Sequence, residues 1–461
     1  MPAFEFNRAL VQKYDRPGPR YTSYPTAPQF HPAFALDDYL QAVQASNQAP
    51  MAKPLSAYIH LPFCQSLCYY CACNKIITGK THRAAEYLGY LKREIALQGA
   101  LFERSRKLTQ LHLGGGTPTY LSNAQLAELM DCLHQAFNLD DSDEHEFSIE
   151  VDPRTVSTGQ IQMLRGLGFN RLSFGVQDFD ADVQAAVNRR QSEAQIYALV
   201  AAARHARFKS ISVDLIYGLP LQTVQSFDVT LEKIIALRPD RIAAYSYAHL
   251  PEQVRAQRMI RREDMPPPER KLELLELTIQ RLTEAGYVYI GMDHFALPDD
   301  ELALARAKGT LQRNFQGYST HADCDLIGLG VSAIGKVGDS YSQSVKLLSQ
   351  YYARLDQGLL PIQRGYRLNA DDLLRREVIN QLMCHGRVDF ATFEAAHGIR
   401  FNDYFAEALE QLAEQVDDQL LALDRHALQL LPQGHLMMRN TAMAFDAYLG
   451  GGRKGQFSRT V

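Results

Sequence analysis

The feature that most constrains the fold is an alternation of apolar, strand-like runs with amphipathic, helix-like stretches. Repeated strand–helix units favour a parallel sheet, and strands rich in Ile, Val, Leu and Tyr are typical of a sheet covered on both faces. The pattern therefore predicts an α/β fold, a full or incomplete (β/α) barrel of six or seven units. The strand-like runs are 55–61, 108–113, 146–151, 171–176, 211–217, 242–247 and 287–291, and the helix-like stretches are 84–104, 122–136, 157–167, 192–207, 223–237 and 269–285.

The segments on either side of this alternation have a different character. Four prolines between residues 13 and 30 exclude a regular helix there. The first segment is either a strap packed on the body or a segment at the mouth of the active site. The pattern predicts four segments: an N-terminal arm over the active site (1–36), a catalytic barrel (37–300), a connecting extension (301–364) and a mostly α C-terminal domain (365–461) with helices at 371–385, 389–396 and 402–415 and a short hairpin.

Composition excludes several classes of protein. The chain has 461 residues and a net charge of −4, with 48 Lys and Arg against 52 Asp and Glu. Nucleic acid is therefore not an expected partner, because proteins that bind it usually carry a basic excess. No apolar run reaches the roughly 18 residues that a membrane span requires, and the start has no apolar signal core. We expect a cytoplasmic protein, and a monomer, because nothing in the sequence demands a dimer.

Four of the seven cysteines lie within ten residues, in the pattern CxxxCxxCxC formed by Cys64, Cys68, Cys71 and Cys73. Such clustering in a reducing compartment indicates a metal or redox site. Three thiolates can hold three corners of a cubane iron–sulfur cluster and leave the fourth iron open to a small molecule. A zinc site with four cysteines is the alternative, but structural zinc sites usually separate two CxxC knuckles by a longer stretch.

Polar residues follow the predicted strands at the point where each one ends. In parallel barrels the active site gathers at the carboxyl ends of the strands, so these residues are expected to meet at one edge. In strand order they are Cys64, the GGGTP turn at 114–118, Glu150, Gln177, Asp214 and Ala248.

Two carboxylates of this set lie on otherwise apolar strands, where an unpaired charge would be costly. Glu150 and Asp214 therefore either contact a ligand or form a buried salt bridge, for instance with Arg171 or Arg189. On position along the strands, we favour the ligand.

The neighbours of the cysteine triplet also allow two interpretations each. The glycines of the GGGTP turn let backbone N–H groups approach a ligand closely, or they simply make a tight strand–helix connection. His60 lies two residues after Tyr58 on the first strand, so both side chains are expected to point inward, and it stands four residues before Cys64. It is either structural or a residue that supports the site through its neighbours.

The cysteine triplet after an apolar strand, followed by GGGTP at the next strand end, resembles the radical S-adenosylmethionine (SAM) enzymes. The motifs GPRYTSYPTA, YIHLPFC, CxC, HLGGGTPTYL, SIEVDPR, RLSFGVQDF, DLIYGLP, YAHLP, GMDHFA, RNFQGYST and QFSR narrow the resemblance, from end to end, to the oxygen-independent coproporphyrinogen III dehydrogenases. Heme-chaperone-like and heme-degrading radical SAM proteins are similar in the barrel. The arm and Cys73 favour the dehydrogenases. Tyr70 and Ala72 depart mildly from the Phe and Gly that are common there.

The resemblance implies an incomplete (β/α)6-type barrel and a radical mechanism. Cys64, Cys68 and Cys71 would hold a [4Fe–4S] cluster, with SAM on the fourth iron. A SAM-derived radical would start the loss of CO₂ from two propionates of coproporphyrinogen III, giving the vinyl groups of protoporphyrinogen IX in heme biosynthesis. An unidentified electron donor and acceptor would complete the reaction. The alternative is a heme-binding or heme-trafficking relative without decarboxylase activity.

The resemblance also assigns residues to SAM. Tyr58 and His60 are the implied catalytic candidates, His60 acting through its neighbours. The cluster-bound SAM would be lined by Tyr58, Gly115, Glu150 and Ile334, and a second SAM, if two are bound, by Tyr70, Gly116, Thr117, Gln177, Arg189, Asp214 and Ala248.

Overall fold

The strands and helices of the computed structural model are numbered here in chain order. The structure describes residues 6–321, 324–449 and 457–460. The strands are β1 (Leu55–Leu61), β2 (Phe63–Cys64), β3 (Ile76–Ile77), β4 (Lys107–Gly115), β5 (Asn138–Leu139), β6 (Glu146–Val151), β7 (Arg171–Gln177), β8 (Ser210–Tyr217), β9 (Arg241–Ser246), β10 (Val288–Gly291), β11 (His294–Ala296), β12 (Gln312–Asn314), β13 (Gly317–Ser319), β14 (Asp325–Leu329), β15 (Ile334–Val337), β16 (Ser340–Ser344), β17 (Ile362–Arg367), β18 (Arg387–Asp389), β19 (Leu421–Leu423) and β20 (Ala427–Leu430). The helices are α1 (Arg8–Tyr14), α2 (Leu36–Asn47), α3 (His82–Gly99), α4 (Asn123–Ala136), α5 (Thr158–Gly166), α6 (Ala181–Ala186), α7 (Glu193–His205), α8 (Val224–Leu237), α9 (Pro268–Glu284), α10 (Glu301–Lys308), α11 (Leu348–Asp356), α12 (Ala370–His385), α13 (Phe390–His397), α14 (Phe401–Tyr404), α15 (Ala406–Glu410), α16 (Ala413–Asp417) and α17 (Met438–Met443).

The chain divides into two compact units. The barrel unit comprises residues 30–287 and 324–367 of the described chain, and the C-terminal unit comprises 6–29, 288–321, 368–449 and 457–460. Among the described residues, no helix has the length and apolar character needed to cross a bilayer.

The sheet of the barrel unit confirms the predicted incomplete (β/α)6 barrel. Its strands lie in the order β9-β8-β7-β6-β4-β1-β14-β15-β16-β17. The six strands from β1 to β9 in this path are parallel and lie in chain order, with the helices α3 to α8 in the connections between them. The carboxyl ends of these strands therefore share one edge, as the prediction of a common edge for the polar strand ends requires.

Four helices of the barrel unit begin at hydroxyl residues that satisfy free backbone N–H groups. In each case the side-chain oxygen accepts a hydrogen bond from the backbone N–H three residues on, and such a cap stabilises a helix by about 1 kcal/mol. The capping residues are Ser122 of α4, Ser157 of α5, Ser192 of α7 and Thr223 of α8.

Helix α3 is shorter than the pattern predicted. The amphipathic pattern continued to residue 104, whereas α3 ends at Gly99. Beyond the helix, the Leu101 carbonyl accepts a hydrogen bond from Asn47 Nδ2 at 2.8 Å, and Phe102 is buried at 5% exposure.

Residues 301–364 are more than the predicted connecting extension. They carry α10 and the β12–β13 hairpin in the C-terminal unit, and β14 to β16 and α11 in the barrel unit. Strand β14 extends the parallel sheet beside β1, with Tyr58 opposite Gly328. It can do so because its apolar residues Leu326, Ile327 and Leu329 are buried there, a role that a short apolar run does not reveal by periodicity alone.

The C-terminal unit is built around an aromatic core. Phe390 and Phe401 stack at 4.1 Å between ring centroids, and Phe405 and Phe445 pack in the same cluster. The single helix predicted for 402–415 is instead the short helices α14, α15 and α16. At Phe405 the backbone leaves helical geometry, and its ring enters the core.

Residues 6–29 of the N-terminal arm pack within the C-terminal unit. Tyr21 and Tyr24 belong to its core, and Arg439 donates from Nε to the Pro19 carbonyl at 3.0 Å. In the QFSR tail, Arg459 forms an ion pair with Asp15, whereas Gln456 lies outside the described residues.

Candidate active site

The cysteine loop leaves the barrel at the carboxyl end of β1 and is fastened at both ends. The short strands β2 and β3 pair in parallel, with Cys64 opposite Ile77. The Thr78 N–H donates to the Cys64 carbonyl at 3.0 Å, and within the loop the Cys71 N–H donates to the Cys68 carbonyl at 3.2 Å. All three thiols of the triplet therefore lie on one closed loop at the edge that the strand ends predict.

Neighbouring connections of the barrel supply hydrogen bonds to two of the thiols. Thr117, from the glycine turn, donates its hydroxyl to Cys64 Sγ at 3.4 Å. Cys68 is buried, and its Sγ accepts from Arg154 Nη2 at 3.5 Å and from Arg189 Nη1 at 3.4 Å. The cysteine loop is thus attached through its sulfur atoms to the ends of β4 and β6 and to the segment between α6 and α7.

Cys71 and Cys73 interact with each other. A hydrogen bond from the Cys73 thiol lowers the pKa of Cys71 to about 6, with the Lys75 ammonium acting in the same direction and burial opposing it. Lys75 Nζ also donates to the Cys71 carbonyl at 2.6 Å. Cys71 is consequently favoured as a thiolate, the form that binds iron.

The donor set fits an iron–sulfur cluster better than a single metal ion. In the described residues, no three His, Cys, Asp or Glu side chains are grouped to hold one metal ion. Zinc requires its ligands to converge on one point. A cubane cluster does not, because each cysteine thiolate holds a different iron atom. Three thiols on one fastened loop therefore fit a cluster.

The glycine turn at the end of β4 requires glycine for steric reasons. Gly115 has φ of +113° and donates its N–H to Glu150 Oε2 at 3.1 Å. A Cβ at Gly115 would lie 2.7 Å from the His60 ring, and one at Gly116 would lie 2.7 Å from the Pro62 carbonyl carbon. The turn thus presents bare backbone beside the cysteine loop.

Glu150 lies in a polar group that also contains a histidine absent from the predictions. His112 Nε2 lies 3.2 Å from Glu150 Oε1, and its Nδ1 lies 2.6 Å from Ser148 Oγ. Burial raises the pKa of Glu150, but the hydrogen bonds from His112 and Gly115 together lower it below its usual value. Because its side chain is 42% exposed, Glu150 presents an ionised, reachable acceptor.

His60 connects Tyr58 to the cysteine loop. Its Nε2 lies 2.8 Å from the Asn74 carbonyl, which can only accept, so Nε2 carries the proton. Its Nδ1 therefore accepts from the Tyr58 hydroxyl, 3.2 Å away. Burial lowers the pKa of His60, so the ring is neutral near pH 7. His60 thus positions Tyr58, whose ring stacks on His112 at 5.7 Å.

A second group of predicted residues lies on β7 and β8. Ser173 donates to Asp214 Oδ2 at 3.3 Å, and burial, followed by the charge of Glu150, raises the pKa of Asp214 to about 7. Gly175 is paired with Asp214, and its carbonyl accepts from Arg189 Nη2 at 2.5 Å. Gln177 has φ of +69°, and its Nε2 would lie 2.9 Å from a Cβ at Gly175.

Three more predicted residues lie around this edge. Gln257 Nε2 donates to the carbonyls of Tyr70 and Ala248, both at 3.1 Å, and so joins the cysteine loop to the end of β9. Ile334 begins β15, and a Cβ at Gly328 would lie 2.6 Å from its carbonyl carbon. Since Gly328 is the register partner of Tyr58, Ile334 lies close to β1.

The two carboxylates and Arg189, one of the arginines that the salt-bridge interpretation names, have the following partners. Glu150 pairs with His112, Asp214 accepts from Ser173, and Arg189 pairs with Asp152 at 3.4 Å.

Sequence reasoning predicted no contact for four residues of the site: His112, Asp152, Arg154 and Gln257. The period-two alternation of β4 could have revealed His112, which faces the same way as Gly114. Asp152 and Arg154 stand in the motif SIEVDPR, but no local pattern indicates that Arg154 contacts Cys68 or that Asp152 pairs with Arg189.

Comparisons with known proteins find similar sequences and a similar structure that cover nearly the whole chain. Residues 58–234 match the radical SAM superfamily, and residues 368–437 match the HemN C-terminal domain. The oxygen-independent coproporphyrinogen III oxidase of Pseudomonas aeruginosa is 50% identical over 452 residues, 98% of each chain, and that of Escherichia coli is 48% identical over 458 residues, 99% of each chain. A solved structure of coproporphyrinogen III oxidase (HemN) from Escherichia coli, described as a radical SAM enzyme, superposes with a TM-score of 0.92 at 47% identity, covering 97% of this chain and 100% of that chain.

Proposed function

The chain belongs to the family of oxygen-independent coproporphyrinogen III oxidases, which are radical SAM enzymes, and from this premise we propose how its residues perform the reaction. The protein is an oxidoreductase of heme biosynthesis that oxidatively decarboxylates propionate side chains of coproporphyrinogen III to vinyl groups. Near-complete alignment with oxidases disfavours the heme-trafficking alternative.

The family implies a [4Fe–4S] cluster and SAM, which together supply the radical that starts the decarboxylation. We assign the cluster to Cys64, Cys68 and Cys71 and leave the fourth iron to SAM. The observation that carries this assignment is the position of the triplet, on a closed loop beside the bare glycine turn and the ionised Glu150. Cys73 is not assigned as a cluster ligand; it is exposed, and its thiol forms a hydrogen bond to Cys71.

In this proposal Glu150, Gly115, Tyr58 and Ile334 hold the cluster-bound SAM. Glu150 would accept hydrogen bonds from the polar groups of SAM, because the lowered pKa of Glu150 keeps the carboxylate ionised and its side chain is accessible. Tyr58 would line the bound SAM, and His60 fixes the direction of the Tyr58 hydroxyl.

A second SAM would contact the group around Asp214. The proposed contacts are Tyr70, Gly116, Thr117, Gln177, Arg189, Asp214 and Ala248. Asp214 suits ribose hydroxyls because a carboxyl group near its pKa both donates and accepts. The support for this site is the packing of Gly175, Gln177 and Arg189 beside Asp214.

An anaerobic assay tests the proposal. The reconstituted protein with SAM, a reductant and coproporphyrinogen III is expected to yield protoporphyrinogen and CO₂, and Cys68→Ala to yield neither. Cluster formation and SAM cleavage without vinyl product would contradict the decarboxylase and support the heme-trafficking alternative.

A further inference from the structure

Cys68 differs from Cys64, another proposed cluster ligand, in the charge beside its sulfur. Its Sγ accepts N–H bonds from two guanidinium groups, Arg154 at 3.5 Å and Arg189 at 3.4 Å. Cys64 Sγ accepts from a neutral hydroxyl, that of Thr117. The two arginines therefore direct their positive charge at one sulfur of the triplet.

Asp152 holds the two arginines in place. Its carboxylate accepts from Arg154 Nη2 at 2.6 Å and lies 3.4 Å from Arg189 Nη1. Asp152 also caps the turn Pro153–Thr155, accepting from the Arg154 backbone N–H at 3.1 Å. The motif SIEVDPR thus positions Arg154 by both its backbone and its side chain. Two cations and one anion leave one net positive charge against Cys68.

Solvent screens this charge weakly. The side chains of Asp152, Arg154 and Arg189 are 9%, 18% and 8% exposed, respectively. Buried charges interact more strongly than surface charges, because water and salt reduce their field less. The arrangement can therefore act on any group bound through the Cys68 sulfur.

The charge beside a cluster and the hydrogen bonds to its sulfurs set its reduction potential. Reduction adds one electron to the cluster and so one negative charge. A donor and a positive charge at a ligand sulfur stabilise that reduced form. We propose that Arg154 raises the reduction potential of the cluster through its N–H bond to Cys68 Sγ, and that Asp152 limits the effect. This inference rests on the proposed ligation by Cys68.

A purely structural role for Arg154 makes a different prediction. If Arg154 only tied the cysteine loop to the end of β6, its loss would reduce iron content and leave the potential of the remaining clusters unchanged. If it tunes the cluster, iron content is retained and the potential moves. The two roles are separated by measuring both quantities on the same protein.

The test is a potentiometric titration of the full-length, reconstituted protein, followed by the EPR signal of the reduced cluster. Arg154→Gln is expected to shift the one-electron equilibrium about tenfold toward the oxidised form, about 59 mV lower, with unchanged iron per chain. The matched control is Arg190→Gln, which removes one positive charge from an exposed residue next to Arg189. Its shift is expected to stay below about twofold because solvent screens it.

Two further variants fix the sign of the effect. Arg154→Lys keeps the charge but loses the planar donor, so about a threefold shift in the same direction is expected. Asp152→Asn is expected to shift the equilibrium about threefold toward the reduced form, since it removes the opposing anion. If Arg154→Gln fails to fold, the opposite signs of these two variants carry the test.

Three results would overturn the inference: equal shifts in Arg154→Gln and Arg190→Gln, shifts of the same sign in Arg154→Lys and Asp152→Asn, or iron loss at an unchanged potential. A wild-type protein that forms no reducible cluster would instead contradict the proposed function.

Discussion

The edge of the barrel buries charged side chains, whereas the aromatic core of the C-terminal unit buries apolar rings. At the barrel edge, Asp152, Arg154 and Arg189 bury charge beside Cys68, and both arginines pair with the aspartate. In the C-terminal unit, Phe390 and Phe401 stack among other rings. Burying charge costs free energy that burying rings does not. The difference teaches that the cysteine loop, to which we assign the cluster, is surrounded by buried charge, whereas the core around Phe401 is built of packed rings.

At the barrel edge, the largest expected effect is the loss of the cluster when one of its cysteines is replaced. Cys64→Ala, Cys68→Ala or Cys71→Ala is expected to abolish cluster binding, because each removes one of three thiolates. Cys73→Ala is the matched control on the same loop and is expected to keep its iron. Iron and sulfide content of the reconstituted variants measures both. Equal iron loss in all four would refute the three-ligand assignment.

The aromatic core gives the largest expected effect on stability. Phe401 is fully buried, and Phe401→Ala is expected to destabilise the C-terminal unit by about 3–5 kcal/mol through the cavity it leaves. The control is Tyr404→Ala, since Tyr404 lies on the same helix α14 and is 41% exposed. Thermal unfolding compares the two. If both variants lost equal stability, the aromatic core would not be what holds this unit together.

Glu150 tests whether the polar edge serves binding rather than stability. Glu150→Gln removes the charge but retains an acceptor for the Gly115 N–H, so a small change in unfolding temperature is expected. SAM binding is expected to weaken about tenfold to a hundredfold, because a charged acceptor is replaced by a neutral one. Isothermal titration with SAM measures the change. Glu144→Gln, at an exposed position before the same strand, is the control; equal effects of the two would contradict the assignment.

The effect expected at Asp214 depends on pH. Its pKa is raised from 3.8 to about 7 in the folded protein. Between these values the folded state keeps a proton that the unfolded state has lost, so stability falls as pH rises toward 7. Asp214→Asn cannot ionise and is expected to gain about 2 kcal/mol relative to the wild type as pH rises from about 5 to about 8. Unfolding curves at both pH values measure this; a constant difference would argue against the raised pKa.

The barrel was predictable because its signals are local. Strand β1 and its neighbours are short apolar runs, and Cys64, Glu150 and Asp214 follow or occupy them at fixed positions. Parallel pairing then brings these residues to one edge without further information. The fold and the position of the cysteine loop at that edge therefore follow from the sequence.

The remaining features depend on contacts between residues far apart in the chain. Strand β14 lies beside β1, where Ile327 is the register partner of Ala57, although the five other parallel strands lie between them in the sequence. No local pattern indicates a pairing across such a separation. This is why residues 301–364 were predicted as a connecting extension.

The charged group beside Cys68 was unpredictable for the same reason. Arg154 reaches Cys68 from the end of β6 and Arg189 from the segment between α6 and α7, and only the folded barrel brings them together. His112 is the intermediate case, since alternation along β4 indicates its face but not its partner Glu150.

The central claim is that Cys64, Cys68 and Cys71 leave one iron free for SAM. The most direct measurement is electron–nuclear double resonance on the reduced cluster with SAM carrying ¹⁵N at its amino nitrogen. The account predicts a hyperfine coupling between the cluster and that nitrogen in the wild type and in Cys73→Ala alike. Bound SAM without any such coupling would contradict it, because the fourth iron would then be closed to the cofactor.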